Sequence, residues 1–246
     1  FDADLNPGGV GAGDSGRLEQ ALLFWKINQQ IGLKVGVFNN DLTFEAEDSP
    51  DMYQITHGQL YDIWNGQTDL DGNNITGVEL SYSTDQFTGS IGFLNDLNSV
   101  AEENSIKVSA LIRATSTLEI RAGLITQDAS AENIIDVGLK MNPSQKLIIG
   151  AEILTADEIF DLGLMIMANY KINDDVAITG RFDQVSYNAA GADDTSSFTI
   201  AALYTVDSNM FINGELRVNK DDNTPVFSPI GEGDGTTARL EFLAKF

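Results

Sequence analysis

Charged side chains recur in this chain at positions flanked by apolar neighbours, and that setting carries more chemistry than any catalytic spacing does. The basic members are Lys34, Lys107, Arg113, Arg121, Lys140, Lys146, Arg181, Arg217, Arg239 and Lys245. The acidic members are Glu79, Glu119, Asp136, Glu152, Asp161, Asp183, Glu215 and Glu241. They amount to ten of the fourteen bases but only eight of the thirty-seven acids. Opposed charges sharing one surface have two uses. They pair across neighbouring strands as a ladder that keeps a wall polar, at ~0.2–1 kcal/mol a pair. Alternatively, they set a transverse field across a wet passage and sort solutes by charge and dipole.

Nucleophilic and metal chemistry have much weaker support. His57 is the only histidine, and a Ser-His-Asp centre would have to be assembled around it. There is no GxSxG, HExxH, P-loop or dinucleotide fingerprint. The chain has no cysteine, which removes disulfide scaffolds and thiolate metal sites. Asp69-Leu70-Asp71-Gly72-Asn73 has the carboxylate spacing that opens a calcium loop, but Leu80 stands where the twelfth, bidentate ligand belongs. The expectation is no enzyme, no cofactor and no metal, with His57 a hydrogen-bonding loop residue.

The elements that would position the charges are strands. From Thr236 to Phe246 the apolar residues Ala238, Leu240, Phe242, Ala244 and Phe246 fall on one parity, and Thr237, Arg239, Glu241 and Lys245 on the other. A strand sends alternate side chains to opposite faces, so this segment has a greasy face and a charged one. The same alternation recurs from Ile31 to Val37 and then through segment after segment from Thr76 onward; Arg17–Ile27 is apolar on both parities, so its outward face stays open. The longest uncharged, strongly apolar run, Leu162 to Ala168, falls far short of the ~20 residues of a spanning helix. Strongly alternating strands with low average hydropathy are what a membrane barrel with a wet interior needs.

Short polar turns (Asn28–Gln30, Ser83–Gln86, Ala114–Ser116, Asn142–Gln145, Asn173–Asp175, Asp207–Asn209) interleave with generally longer linkers. Strands before the short turns run one way, as does the last strand. An even closed barrel then needs one strand before Arg17, whose visible end is Phe1–Leu5. The reading is a single domain over residues 1–246: an all-β, transmembrane, antiparallel up-and-down barrel of about 14 strands (12 or 16 being the alternatives), with its first strand cut short.

The charged parity would line the lumen, nearly balanced at two positive charges in excess. The net charge of −23 therefore belongs mostly to the connections, and it argues against nucleic-acid partners. Acidic loops either solvate an exposed surface or gather cations, bridging through divalent ions to anionic lipopolysaccharide. From Asn40 to Asn74 the alternation stops for 35 residues carrying eight acids, no Lys or Arg, and His57. A connection of that length is usually functional. Folded into the lumen, it would oppose its Glu45, Glu47, Asp48 and Asp51 to basic wall residues as a constriction. Otherwise it caps the outside or hides a further short strand pair. Arg239 and Glu241 are expected to continue a ladder with Glu215 and Arg217.

The stretches FDADLNPGG, RLEQALLFWKI, LKVGVFNNDLTFE and ITGVELSYSTDQFTGSIGFLND resemble the β-barrel porin-2 group of Gram-negative outer-membrane porins. The terminal LEFLAKF resembles the strand by which such proteins are recognised for barrel assembly, ending on Phe246. The chain departs from the group in its long loop, where Leu42-Thr43-Phe44-Glu45 replaces a Pro-Phe-Gly-type turn, so a constriction geometry does not carry over. The resemblance implies an outer-membrane channel in contact with lipid and lipopolysaccharide, delivered by the barrel-assembly machinery and able to form trimers. The competing reading is a structural barrel with a plugged lumen, serving other envelope proteins.

Overall fold

The computed structural model describes residues 2–6, 17–46, 51–66, 74–95, 104–126, 133–156, 160–188, 193–221 and 234–245. Fourteen strands follow one another in a single sheet, each hydrogen-bonded antiparallel to the next. They are β1 Asp2–Asn6, β2 Arg17–Lys26, β3 Ile31–Asn39, β4 Asn74–Ser83, β5 Phe87–Asn95, β6 Asn104–Thr115 and β7 Leu118–Thr126. The series continues with β8 Ile134–Ser144, β9 Leu147–Ala156, β10 Phe160–Lys171, β11 Val176–Tyr187, β12 Thr195–Asp207, β13 Met210–Lys220 and β14 Gly235–Ala244. From β2 onward the strands have 9 to 13 residues, close to the ~9–11 that a tilted strand needs to cross a bilayer.

Among the described residues six connections are tight turns, all at one end. Asn28 Oδ1 accepts from the amides of Gln30 and Ile31, both at 2.8 Å, and Asn173 Oδ1 accepts from those of Asp175 and Val176, both at 2.9 Å. These are Asx turns, which satisfy the backbone groups a hairpin exposes. Two turns sit later than the alternation places them, at Ser116–Thr117 and Gln145–Lys146. The register shifts between Arg113 and Thr115 and between Met141 and Ser144 carry each strand further. The second shift contains Pro143, which has no N–H for a regular ladder.

The outer face is continuously apolar. Leu80, Ile91, Phe93, Ile106, Ile135, Ile166, Ile200, Leu240 and Phe242 are all exposed there. Trp25, Tyr82, Phe87, Tyr170 and Tyr204 stand within a few residues of the short turns, where an aromatic girdle meets the lipid interface. On β2 the register opposes Phe24 to Lys34 and Leu23 to Val35, which turns Leu23 and Trp25 to lipid. Among the described residues no helix is long and apolar enough to cross a membrane.

The other face wraps around the long connection. Between β3 and β4, residues 40–46 and 51–58 and the helix α1 Gln59–Gly66 lie against the inner parity of the strands. The segment holds a helix where the sequence suggested at most a strand pair. Leu60, Ile63 and Trp64 share one helical face by their i, i+3, i+4 spacing and are all buried. Asp41 pairs with Lys107 on β6 and Glu45 with Arg181 on β11. With its inner parity bonded to one loop from β6 to β13, the sheet curls around that loop, and the fold is an antiparallel up-and-down β-barrel. The strand pairings described run from β1 to β14, and a β14–β1 pairing is not among them.

Candidate functional site

Glycine makes room for the loop on the inner wall. A Cβ on Gly123 would come within 2.0 Å of Leu42 Cδ2, and one on Gly150 within 2.2 Å of Phe44 Cζ. The loop thus seats Leu42 and Phe44 in notches on β7 and β9. Around it lies an apolar core inside the barrel: Ile125, Ile134, Leu154, Met165 and Val185 from the wall, with Leu42, Leu60, Ile63 and Trp64 from the loop. Each side chain so buried contributes ~1.5–3 kcal/mol. This core is absent from the sequence-level picture of a wholly polar lumen. Its signal was there: consecutive apolar residues at the long-loop end of β7 to β11, such as Leu124-Ile125, Ile134-Ile135 and Ile153-Leu154.

Arg181 is the centre of the polar contacts. Its Nη1 donates to Glu45 Oε1 and to the carbonyl of Thr56, both at 2.7 Å. Nη2 donates to the carbonyl of His57 at 2.9 Å, and Nε to Asp183 Oδ2 at 2.9 Å. Glu45 also accepts from the Gln54 side chain and, at 2.6 Å, from the Gly58 amide. Burial on its own would raise the Glu45 pKa, but Arg181, His57 and the Gly58 amide together hold it below the usual carboxylate range. The Asp183 carboxylate lies against Gly58, where a Cβ would come within 2.5 Å of Oδ1. His57 stacks on Tyr61 at 3.6 Å.

On β13, Glu215 accepts from the amides of Ile55 and Thr56 at 2.7 and 3.0 Å and from the Thr56 hydroxyl at 2.6 Å. Arg217 donates to the His57 carbonyl at 3.2 Å. On the opposite wall, Glu152 accepts from the Phe44 amide at 2.8 Å, and Arg121 donates to the Thr43 carbonyl. Lys107 binds Asp41 and, at 2.8 Å, Glu79, which also pairs with Lys34 at 3.0 Å. Burial would raise the Asp41 pKa too, but Lys107 and more distant bases lower it. Asp62 on α1 goes the other way: burial and neighbouring Glu45 push it up to about 6 against the pull of Arg217, His57 and Arg181.

The charges therefore divide into two groups. Glu79, Lys107, Glu152, Arg181, Asp183, Glu215 and Arg217 are buried beneath the loop, and all but Asp183 bond to it directly or through Lys107. Towards the short turns Arg113 and Glu119 face each other at 3.9 Å, each about 40 % exposed, and Lys146 is exposed beside the carbonyl of Ile172. Asp161 is exposed at the other end. Between β13 and β14 the register sets Arg239 opposite Glu215. Glu215 also accepts from loop amides, and Glu241, opposite Asn213, accepts from its side-chain amide at 2.9 Å. Loop backbone groups draw such wall charges because they are buried and need partners. Asp51 is exposed near a cavity of ≈ 290 Å³; Glu47, Asp48, Phe246 and the Asp69–Asn73 run lie outside the described residues. A second cavity, ≈ 90 Å³, lies beside Phe44, Glu119, Arg121 and Lys140.

A sheet curled round an inward-folded loop, with an apolar outer belt and an aromatic girdle, defines an outer-membrane β-barrel of the porin kind. The chain belongs to the family described as "Putative beta-barrel porin-2, OmpL-like", whose profile matches residues 2–246; it is a bacterial outer-membrane protein. A search of curated proteins finds no match. Among solved structures the chain is similar to Pseudomonas putida OprB at high pH, with a TM-score of 0.73, 13 % identity, and 96 % of this chain and 74 % of that chain covered. It is also similar to a mutant of the Rh. blastica porin, with a TM-score of 0.64, 15 % identity, and 95 % and 80 % covered. The outer-membrane expressed OmpT of Vibrio cholerae aligns with a TM-score of 0.63, 12 % identity, and 93 % and 79 % covered. At these identities the likeness is one of fold.

Proposed function

We propose that the protein is a non-enzymatic channel for passive diffusion of small hydrophilic solutes or ions, narrowed by residues 40–66. The observation that carries this reading is the uneven cover of the inner wall. Glu79 is 1 % exposed while its cross-strand partner Lys34 is 29 % exposed, and Glu215 is buried while Arg239 is exposed. The loop's polar bonds reach β6 to β13 and its apolar core takes in Phe38 on β3 and Leu22 on β2, so the route is drawn past the less covered Lys34, Arg239 and Glu241. Arg113, Glu119, Arg121 and Lys146 line its short-turn mouth. Asp41, Glu45, Asp51 and Asp62 enter the barrel with the loop and turn the slight positive excess of the wall into a slight negative one. The acidic connections add to it at the other mouth.

The test is single-channel recording in planar bilayers, with the reversal potential across a salt gradient. Weak selectivity with a mild cation preference is expected, and clear anion selectivity would show that the exposed bases dominate. A second reading has its own support: the apolar seal between Trp64, Leu60 and the β7–β11 wall suits a plugged barrel serving other envelope proteins. Absence of any openings would select it. Recognition of Phe246 by the assembly machinery, contact with lipopolysaccharide and trimer formation belong to this proposal as partners.

A further inference from the structure

We infer that the ≈ 290 Å³ cavity between loop residues 51–53 and the short-turn end of β10–β13 is a binding subsite for small organic cations carrying an apolar body. Its floor is made by inner-face side chains that a purely hydrated passage would not need: Ala177, Leu203 and Phe211. Its roof is Met52 and Tyr53. The ring of Tyr53 already attracts one ammonium, with Lys140 Nζ 5.7 Å from its centroid, the distance of a cation–π contact.

The polar groups around this apolar space include two amides and a rim dominated by carboxylates. Asn169 donates one N–H to Thr179 Oγ1 at 2.8 Å, and Asn213 donates one to Glu241 at 2.9 Å. Each amide keeps its oxygen as an acceptor and a second N–H as a donor. At the rim stand three carboxylates, Asp51, Asp174 and Asp175, against the ammonium of Lys171, with that of Lys140 over the Tyr53 ring. Acceptors and surplus negative charge around an apolar floor favour a ligand that brings N–H donors, a positive charge and a hydrocarbon body. The volume is at the lower end for ligand pockets, which run from ~300 Å³, so a single-ring amine fits and a long chain does not. A simple polar solute would leave Leu203 and Phe211 facing water. An organic anion would meet three carboxylates.

The subsite deepens the channel reading only in that a solute reaches it through the short-turn mouth, and binding is measurable without current. The full chain in detergent is titrated with phenethylammonium, 2-phenylethanol and 3-phenylpropionate by calorimetry or ligand-observed NMR. The ammonium is expected to bind roughly fivefold more tightly than the alcohol, the weight of one partly exposed ion pair, and the carboxylate most weakly. Asp51→Asn, a change at an exposed loop residue, removes that margin, and added salt erodes it. Ala177→Phe, which fills the floor, abolishes binding of all three. Equal binding of carboxylate and ammonium, or an Asp51→Asn variant that keeps the full margin, overturns the proposal. A protein that binds the ammonium selectively but never conducts keeps the subsite and loses the channel. One that conducts but does not discriminate among the probes does the reverse.

Discussion

Replacing Arg181 by Met should release the loop. The guanidinium is 1 % exposed and joins the β11 wall to Glu45, Thr56 and His57 on the loop while holding Asp183 on its own strand. Met fills much of the volume but supplies no donor. The Glu45 and Asp183 carboxylates, both buried, lose their cation, and breaking one such buried pair costs ~3–5 kcal/mol. The Thr56 carbonyl also loses its donor, at ~1–3 kcal/mol if it stays buried. The lower ion-pair figure alone, ~3 kcal/mol, shifts the ratio of docked to undocked loop more than a hundredfold, at ~1.4 kcal/mol per decade. Single-channel conductance should rise and become noisy, and residues 51–58 should become open to proteolysis, while the barrel keeps its heat-modifiable migration. Adding Glu45→Gln to Arg181→Met removes one stranded charge and should recover part of the docking. A folded Arg181→Met barrel with unchanged conductance and unchanged protease resistance would refute the assignment of Arg181 as the loop's anchor.

Three further outcomes are expected. Asp62, held near 6, keeps its proton to higher pH in the docked loop than in a free chain, where it is lost near 3.8, so docking is strongest below 3.8, weakens as pH rises from there, and has lost this contribution above about 6. Discounted for partial exposure, the change is on the order of 1–2 kcal/mol. Conductance should climb between about pH 4 and about pH 6 and level off above that, Asp62→Asn should flatten the climb, and an unaltered profile in the variant would count against it. Glu45 works in the opposite sense: its contribution is present above about 4.5 and is lost with further acidification, so conductance should rise again at lower pH. Gly150→Val forces the Phe44 ring out of its notch; overpacking of this kind costs ~1–3 kcal/mol and should raise conductance with little change in barrel yield. Ile166→Arg places a charge on the exposed apolar belt, which costs ~2–4 kcal/mol at mid-bilayer and should lower the urea midpoint of the barrel folded in liposomes.

The wall was legible from the chain alone because its physical cause is local. Alternation sets which side of every strand from β3 onward meets lipid, and the direction of the last strand required a strand before Arg17, now seen as β1 Asp2–Asn6. The interior was far less legible. The bonds that dock the loop join residues far apart in sequence, 108 positions for Phe44 with Glu152 and 160 for Ile55 with Glu215. No periodicity encodes such a pairing. Charges that looked like a cross-strand ladder bind backbone amides and carbonyls of the loop, because those groups become buried and need partners. The helix was missed for another reason: α1 has only eight residues, too few for its spacing to stand out among the aromatic and acidic residues around it.

The glycine notches and inner apolar residues also constrain the order of assembly. Gly123, Gly150 and the Ile125, Ile134, Leu154 and Val185 side chains all come later in the chain than the loop they receive. A barrel closed first would have to keep those side chains wet and then admit a helix bearing Trp64 through its mouth. Curling the strands round a loop already made avoids both costs. Residues 40–46 and 51–66 then act as the mandrel on which the staves are bent, so that the loop's sequence bears on how the barrel is built.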